Sequence, residues 1–193
     1  DHFDYLPMTG GRLGLVVADV TGHGIGPALL MSEARAYLRL LALNRENTGD
    51  ILTRANAVLS DDLNFERYIT VVLLCLEPEN HRLTFSNAGH PAALVINESG
   101  EVKAQLKRNG VPLGIRAKTS YSTSDYLTLD PGDMIFLYTD GFDEAMAEDE
   151  SFFGTDRMVQ ILHQCRSLPS RDILQELYQA VDKFTGAQSQ ADD

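Results

Sequence analysis

The sequence predicts an α+β fold in which helix pairs flank a long run of antiparallel strands. Three observations predict it. Apolar residues recur at helical spacing only near the start and near the end of the chain. The stretch between them is built from short β-branched or alternating runs. Gly, Pro and Asn punctuate that middle stretch at every junction. At 193 residues and 44% apolar content, with no low-complexity tract, the chain is long enough to bury one ordinary core. Helices, then many strands, then helices reads as helix pairs covering a sheet or a two-sheet sandwich.

The elements follow in order. LGLVVAD, from Leu13 to Asp19, is a continuous apolar run suited to a buried strand that ends on an acid. A loop with Gly22, Gly24 and Gly26 leads into a helix-forming segment from Pro27 to Leu43, whose Ala28, Leu29, Met31, Ala34 and Leu38 read as a core stripe. Ile51, Leu52, Ala55, Val58, Leu59 and Leu63 have the spacing of a second amphipathic helix. YITVVLLCLE, the turn PEN and HRLTFSNAG read as a hairpin. PAALVIN, EVKAQL, YSTSDYLTL and DMIFLYT add further short strands. Two helices close the chain, one carrying Met158, Val159, Ile161, Leu162 and Cys165, the other Ile173, Leu174, Leu177, Val181 and Phe184.

Composition excludes several classes. Sixteen basic against 28 acidic residues give a formal net charge of −12, so a groove for nucleic acid or an anionic membrane surface is not expected. Cys75 and Cys165 lie far apart within apolar patterns, form no CxxC motif, and read as reduced core residues. No segment approaches the length of a membrane span, and no leader is evident, so an intracellular domain is expected. The abrupt ends read as those of a single domain, residues 1–193, excised from a longer multidomain protein and slightly short at both ends.

Two apolar strands end on acids, LGLVVAD at Asp19 and DMIFLYTD at Asp140. Burying a carboxylate beside Val17 or Leu137 is costly unless it is paired or cation-bound. Asp1 with Asp4 and Asp192 with Asp193 add acidic pairs near the ends. Oxygen-only donors select hard cations, Mg²⁺ or Mn²⁺, over zinc. Taken singly, each strand-end Asp also fits a turn or helix cap. A phosphate-loop reading of TGHGIGPA fails in detail: the glycines are spaced G-x-G-x-G, no G-K-[ST] follows, and Asp19 would repel a bare phosphate.

Seven segments, DHFDY, ADVTGHGIGPALLM, NAGHPAAL, GVPLGI, LDPGDMIFLYTDGFDEA, FFG and the closing ADD, stand in the order seen in bacterial PPM-type serine/threonine phosphatases of the SpoIIE and RsbU kind. The chain resembles that family over nearly its whole length. The resemblance implies an α-β-β-α sandwich of two stacked antiparallel sheets flanked by helix pairs, with two Mn²⁺ or Mg²⁺ ions at one edge. It implies Asp19 as the carboxylate bridging both metals, the Val20 carbonyl and Asp1 as ligands, and Asp140 and Asp192 on the other metal. It further implies attack of a metal-activated water on a phosphoserine or phosphothreonine, on a bacterial cytoplasmic signalling protein such as a STAS-type anti-sigma-factor antagonist. A sensor domain in the same chain, or a homodimer partner, would act on the first two helices. A catalytically silent docking module of the same fold is the competing reading, and the intact acids favour the enzyme.

Other residues carry weaker expectations. His23 is a candidate general acid or phosphate-orienting group, weighed against a solvent-exposed loop histidine. His90, Asn87 and Gly89 are expected to shape a tight turn near the site. Asp4, Asp143 and Glu144 are candidate outer-sphere partners, weighed against surface charge. Arg12, Arg35 and Arg67 are candidate phosphate or partner contacts.

Overall fold

The computed structural model describes residues 1–45, 47–63 and 67–186, with no side-chain description for 61–63. The elements are β1 (His2–Pro7), β2 (Leu13–Val20), α1 (Ile25–Ala42), α2 (Thr48–Leu63), β3 (Ile69–Glu77), β4 (Arg82–Ala88), β5 (Ala93–Ile96), β6 (Val102–Leu106), β7 (Leu127–Thr128), β8 (Met134–Phe136), α3 (Asp140–Asp143), α4 (Gly154–Cys165) and α5 (Ser170–Thr185). They form two compact units, Asp1–Ala92 with Leu106–Asp130, and Ala93–Gln105 with Pro131–Asp193.

The first unit holds a five-stranded sheet in the order β1-β2-β3-β4-β7, every neighbouring pair antiparallel. Alternation sets its faces: Gly14, Val16, Ala18 and Val20 of β2 are buried, whereas Leu13, Leu15, Val17 and Asp19 are half-buried. Pro27, Met31, Ala34, Leu38 and Ala42 of α1 and Ile51, Leu52, Ala55 and Leu59 of α2 are buried, joining one cluster with Leu6, Val16, Ala18, Val71 and Leu73, apart from the proline. Each large apolar side chain fully buried there stabilises the fold by about 1.5–3 kcal/mol. The stripe on α1 is narrower than its sequence suggests. Ala28 is exposed and Leu29 is 66% exposed, and Val58 of α2 is 45% exposed, because α1 begins at Ile25 and its core register runs through Pro27, Met31 and Ala34 instead.

Asn56 fastens α2 to the segment that follows Gly110. Its amide nitrogen donates to the carbonyls of Arg116 and Ala117 at 2.9 and 3.1 Å, and its oxygen accepts from Gly114 N–H at 2.8 Å. Leu113 and Ile69 exchange both backbone hydrogen bonds, at 2.8 and 3.0 Å. The start of β3 is therefore held by α2 through this loop.

The edge strand β1 has an inverted alternation that its sequence hides. Phe3 and Tyr5 are 72% and 62% exposed, while Asp4 and Leu6 turn toward the helices. Asp4 is accepted there because Arg39 grips it with two hydrogen bonds of 2.5 and 2.7 Å and Arg35 approaches to 3.5 Å.

The second unit holds the sheet β6-β5-β8, with Leu94 opposite Phe136 and Ile96 opposite Met134. Its core joins Leu94, Ile96, Phe136 and Phe153 to Met158 and Leu162 of α4 and to Ile173 and Leu177 of α5, while Leu174 stays 47% exposed. Phe153 meets Phe184 edge-on at 5.4 Å, and Phe142 meets Tyr178 at 5.5 Å. Two expected strands are shorter than their patterns: YSTSDYLTL contributes only Leu127–Thr128, and DMIFLYT only Met134–Phe136. Both cysteines are free, Cys75 buried and Cys165 half-buried. Among the described residues no helix is long and apolar enough to cross a membrane.

The Arg39 hydrogen bonds hold the Asp4 carboxyl down at about 2, below its ordinary 3.8. A depressed carboxylate contributes its full stability above the ordinary value and loses it as pH falls through the folded one. Asp4→Asn is expected to lower the urea midpoint at pH 7, with the gap to the wild type closing between about pH 4 and pH 2. A gap that is independent of pH over that range contradicts the assignment.

Candidate metal centre

One end of the first unit's sheet gathers the polar residues. The register of β1 on β2 sets His2 opposite Ala18, so the next step outward sets Asp1 opposite Asp19. The Asp1 backbone nitrogen lies 4.0 Å from Asp19 Oδ1, and the two side chains are 24% and 26% exposed. β2 continues one residue past Asp19, to Val20, which pairs with Ile69 as Asp19 pairs with Thr70. Asp19 and Thr70 share the face opposite α1 and α2, because Val20 and Ile69 belong to the helix-facing core.

The loop after Val20 is latched to the start of β3. Thr21 N–H donates to the Tyr68 carbonyl at 3.1 Å, and Tyr68 N–H donates to Thr21 Oγ1 at 3.1 Å. Gly22 and Gly24 then take φ of 87° and 95°, turning the chain into α1 as expected. His23 sits exposed between them, matching the loop-histidine reading of its position. Arg67 packs its guanidinium against Gly26 in the first turn of α1, where a Cβ would come within 3.1 Å of it.

The NAGHP segment is a clamp, not merely a turn. Asn87, fully buried, donates from its amide nitrogen to the Leu106 carbonyl at 3.0 Å and accepts the His90 N–H at 2.9 Å. His90 is 1% exposed, and its Nδ1 lies 2.8 Å from Thr70 Oγ1. Arg108 Nε donates to the His90 carbonyl at 3.1 Å. The sequence indicated a turn here; the link from His90 to Thr70 was missed, since it depends on strand register and not on any local pattern.

The remaining candidates fall elsewhere. Asp140 belongs to the second unit, half-buried at the start of α3, where its carbonyl accepts Glu144 N–H at 2.8 Å. Three residues separate it from the end of β8, so it opens a helix instead of ending a strand, as its sequence had suggested. Asp192 lies outside the described residues. Asp4 is not an outer-sphere partner of Asp19: it points to the opposite face of the sheet, into Arg39 and Arg35. Arg35 is thereby engaged, and Arg12 donates to Glu77 at 2.8 Å at the far end of β3. Asp143 is half-buried and Glu144 exposed. Among the described residues no three His, Cys, Asp or Glu side chains gather into a metal-binding group.

The pair that does come together suits a cation. Both side chains are carboxylates about three-quarters shielded from water; the contact between the two residues runs from the Asp1 amino nitrogen to Asp19 Oδ1, and a cation beside the carboxylates would relieve their repulsion. Their oxygen-only donors fit Mg²⁺ or Mn²⁺. Gly89 keeps the neighbouring clamp in place: its φ is 79°, and a Cβ there would lie 2.4 Å from Pro112 Cγ. Gly89→Ala is expected to cost roughly 2 kcal/mol or more, combining left-handed strain with overpacking. An unchanged denaturation midpoint contradicts this.

Residues 9–193 match the family model described as Stage II sporulation protein E (SpoIIE). The phosphoserine phosphatase RsbU of Bacillus subtilis (strain 168) is 25% identical over 174 residues, covering 89% of this chain and 51% of RsbU. The SiaA-PP2C domain of Pseudomonas aeruginosa matches with a TM-score of 0.83 at 24% identity, over 99% of this chain and 76% of that one. RsbX, solved in complex with magnesium, matches with a TM-score of 0.67 at 17% identity, over 95% of this chain and 80% of that one. The chain spans about half the length of RsbU and smaller shares of RsbP of Bacillus subtilis (strain 168) and Protein IcfG of Synechocystis. The structural likenesses establish a PP2C-like α+β fold with two antiparallel sheets and helices. With the family model covering all but the first eight residues, the chain belongs to the SpoIIE family of PP2C-type serine phosphatase domains, like RsbU and RsbP.

Proposed function

We propose that this chain is a metal-dependent protein serine/threonine phosphatase domain. The observation that carries the reading is the juxtaposition of Asp1 and Asp19 at the end of a buried sheet. Asp19 would bridge two Mn²⁺ or Mg²⁺ ions, Asp1 and the Val20 carbonyl would complete one, and Asp140 and Asp192 would hold the other. The bound ions would supply an activated water and neutralise phosphate charge. Family membership and the magnesium in RsbX support a divalent cation as the cofactor.

The chain's own residues would do the rest. β2 and β3 fix where the Asp19 carboxylate sits, and the latch from Thr21 to Tyr68 ties the following loop to the entry of β3. Arg67 beside the first turn of α1 offers a cation next to a helix N-terminus, a combination that favours a phosphate in an otherwise acidic chain. His23 would orient that phosphate or protonate the departing serine oxygen, its exposed position between two glycines giving the imidazole room to turn.

The substrate would be a phosphoserine or phosphothreonine on a bacterial cytoplasmic signalling protein, a STAS-type anti-sigma-factor antagonist by likeness to RsbU, itself named a phosphoserine phosphatase. Both units would belong to one phosphatase domain, residues 1–193. That domain would be part of a longer chain whose sensor region, or a second copy, acts on α1 and α2.

The test is Mn²⁺-dependent hydrolysis of an aryl phosphate and a phosphoserine peptide, with Asp19→Asn beside the wild type. Activity is expected to rise with Mn²⁺, vanish with chelator, and fall in the variant by more than the roughly 10–100-fold that outer-sphere changes cost. Hydrolysis indifferent to chelator or to Asp19→Asn overturns the reading. A folded, inert chain that binds no metal leaves the docking module in its place.

A further inference from the structure

We infer that His90 and Thr70 form a positioning pair that fixes the Asp19 carboxylate, with the His90 ring donating from Nδ1 to Thr70 Oγ1 and the Thr70 hydroxyl proton directed toward Asp19. The inference rests on the metal-centre reading above and concerns residues that reading does not use.

Three observations carry it. First, Asp19 and Thr70 are direct cross-strand partners on one face of the sheet. Opposed residues of an antiparallel pair keep their Cβ atoms about 4.5–5.5 Å apart, within reach of a hydroxyl and a carboxylate. Second, Thr70 Oγ1 lies 2.8 Å from His90 Nδ1. A hydroxyl donates one proton and accepts through two lone pairs, so a threonine that accepts from the ring keeps its proton for a neighbour. Third, His90 is over-determined. It is 1% exposed, its N–H is held by Asn87 Oδ1 at 2.9 Å, and its carbonyl is held by Arg108 at 3.1 Å.

A β-branched side chain is already stiff about its first torsion. Anchoring its hydroxyl on a buried ring takes up one lone pair and leaves the proton to face the Asp19 carboxylate on the neighbouring strand. The relation is that of an outer-sphere hydrogen bond that orients a metal-binding carboxylate.

The experiment uses the whole chain and measures Mn²⁺ affinity by calorimetry, with the metal-free melting temperature recorded for each variant. Thr70→Val keeps the shape and removes the hydroxyl; with the buried His90 Nδ1 left without that partner it is expected to stay folded but melt a few degrees lower without metal, and to bind Mn²⁺ roughly 10–100-fold more weakly. Thr70→Ser should restore most of the affinity. His90→Phe should match Thr70→Val, and the double variant should be no weaker than either, since both cut one path. Should His90→Phe not fold, the two threonine variants decide. Thr70→Val binding Mn²⁺ as the wild type does, while Asp19→Asn does not bind, overturns the inference and leaves the phosphatase reading standing. A folded wild type that binds no Mn²⁺ overturns both.

Discussion

The pairing of β2 with β3 is the constraint on which the rest depends. β3 has no polar face to spare: Val71, Val72, Leu73 and Leu74 are all fully buried, so both of its sides are closed to water. A one-residue slip would exchange the two faces of β2 against it, sending Asp19 into the core and Ala18 out. Apolar burial along the middle of the strands thus decides where the acid at their end must lie. The carboxylate is held by the hydrophobic effect acting several residues away.

Polar groups finish what burial begins. Buried amides such as Asn56 and Asn87 are expensive unless satisfied, and each is satisfied by backbone groups of a loop that would otherwise have no fixed path. Asn56 holds the segment around Gly114, which pairs with the entry of β3; Asn87 holds the turn that delivers His90 to Thr70. Two side chains, one from a helix and one from a strand, converge on the same few residues opposite Asp19. At the other end of the sheet the Arg12–Glu77 pair closes the strands without involving the site.

Much of this was legible in the sequence, and what was not has physical reasons. Strong periodicity located β2, β3, β4 and all four long helices, because each must present a continuous apolar face to a core. β1 was not legible: HFDYLP carries its aromatics on the solvent side and an aspartate on the helix side, a pattern that makes sense only once Arg39 is known to meet it. The stripe on α1 held at Met31, Ala34 and Leu38, while Ala28 and Leu29 fit the period of a helix but not its register on the sheet. DMIFLYT looked like a strand through Thr139, yet pairing with β5 ends at Phe136. Of the site, register sets Asp1 beside Asp19, with the Asp1 nitrogen 4.0 Å from Asp19 Oδ1. The Thr70–His90 contact joins residues 20 apart in the chain, and no period or motif encodes it.

Asp19, at the end of the first unit's sheet, is the carboxylate on which the proposed function rests. The measurement that bears on it most directly is anomalous diffraction from crystals of the chain grown with saturating Mn²⁺. Manganese peaks in contact with Asp19, one of them also with Asp1, are the predicted result. Ordered density for Asp19 with no manganese beside it contradicts it.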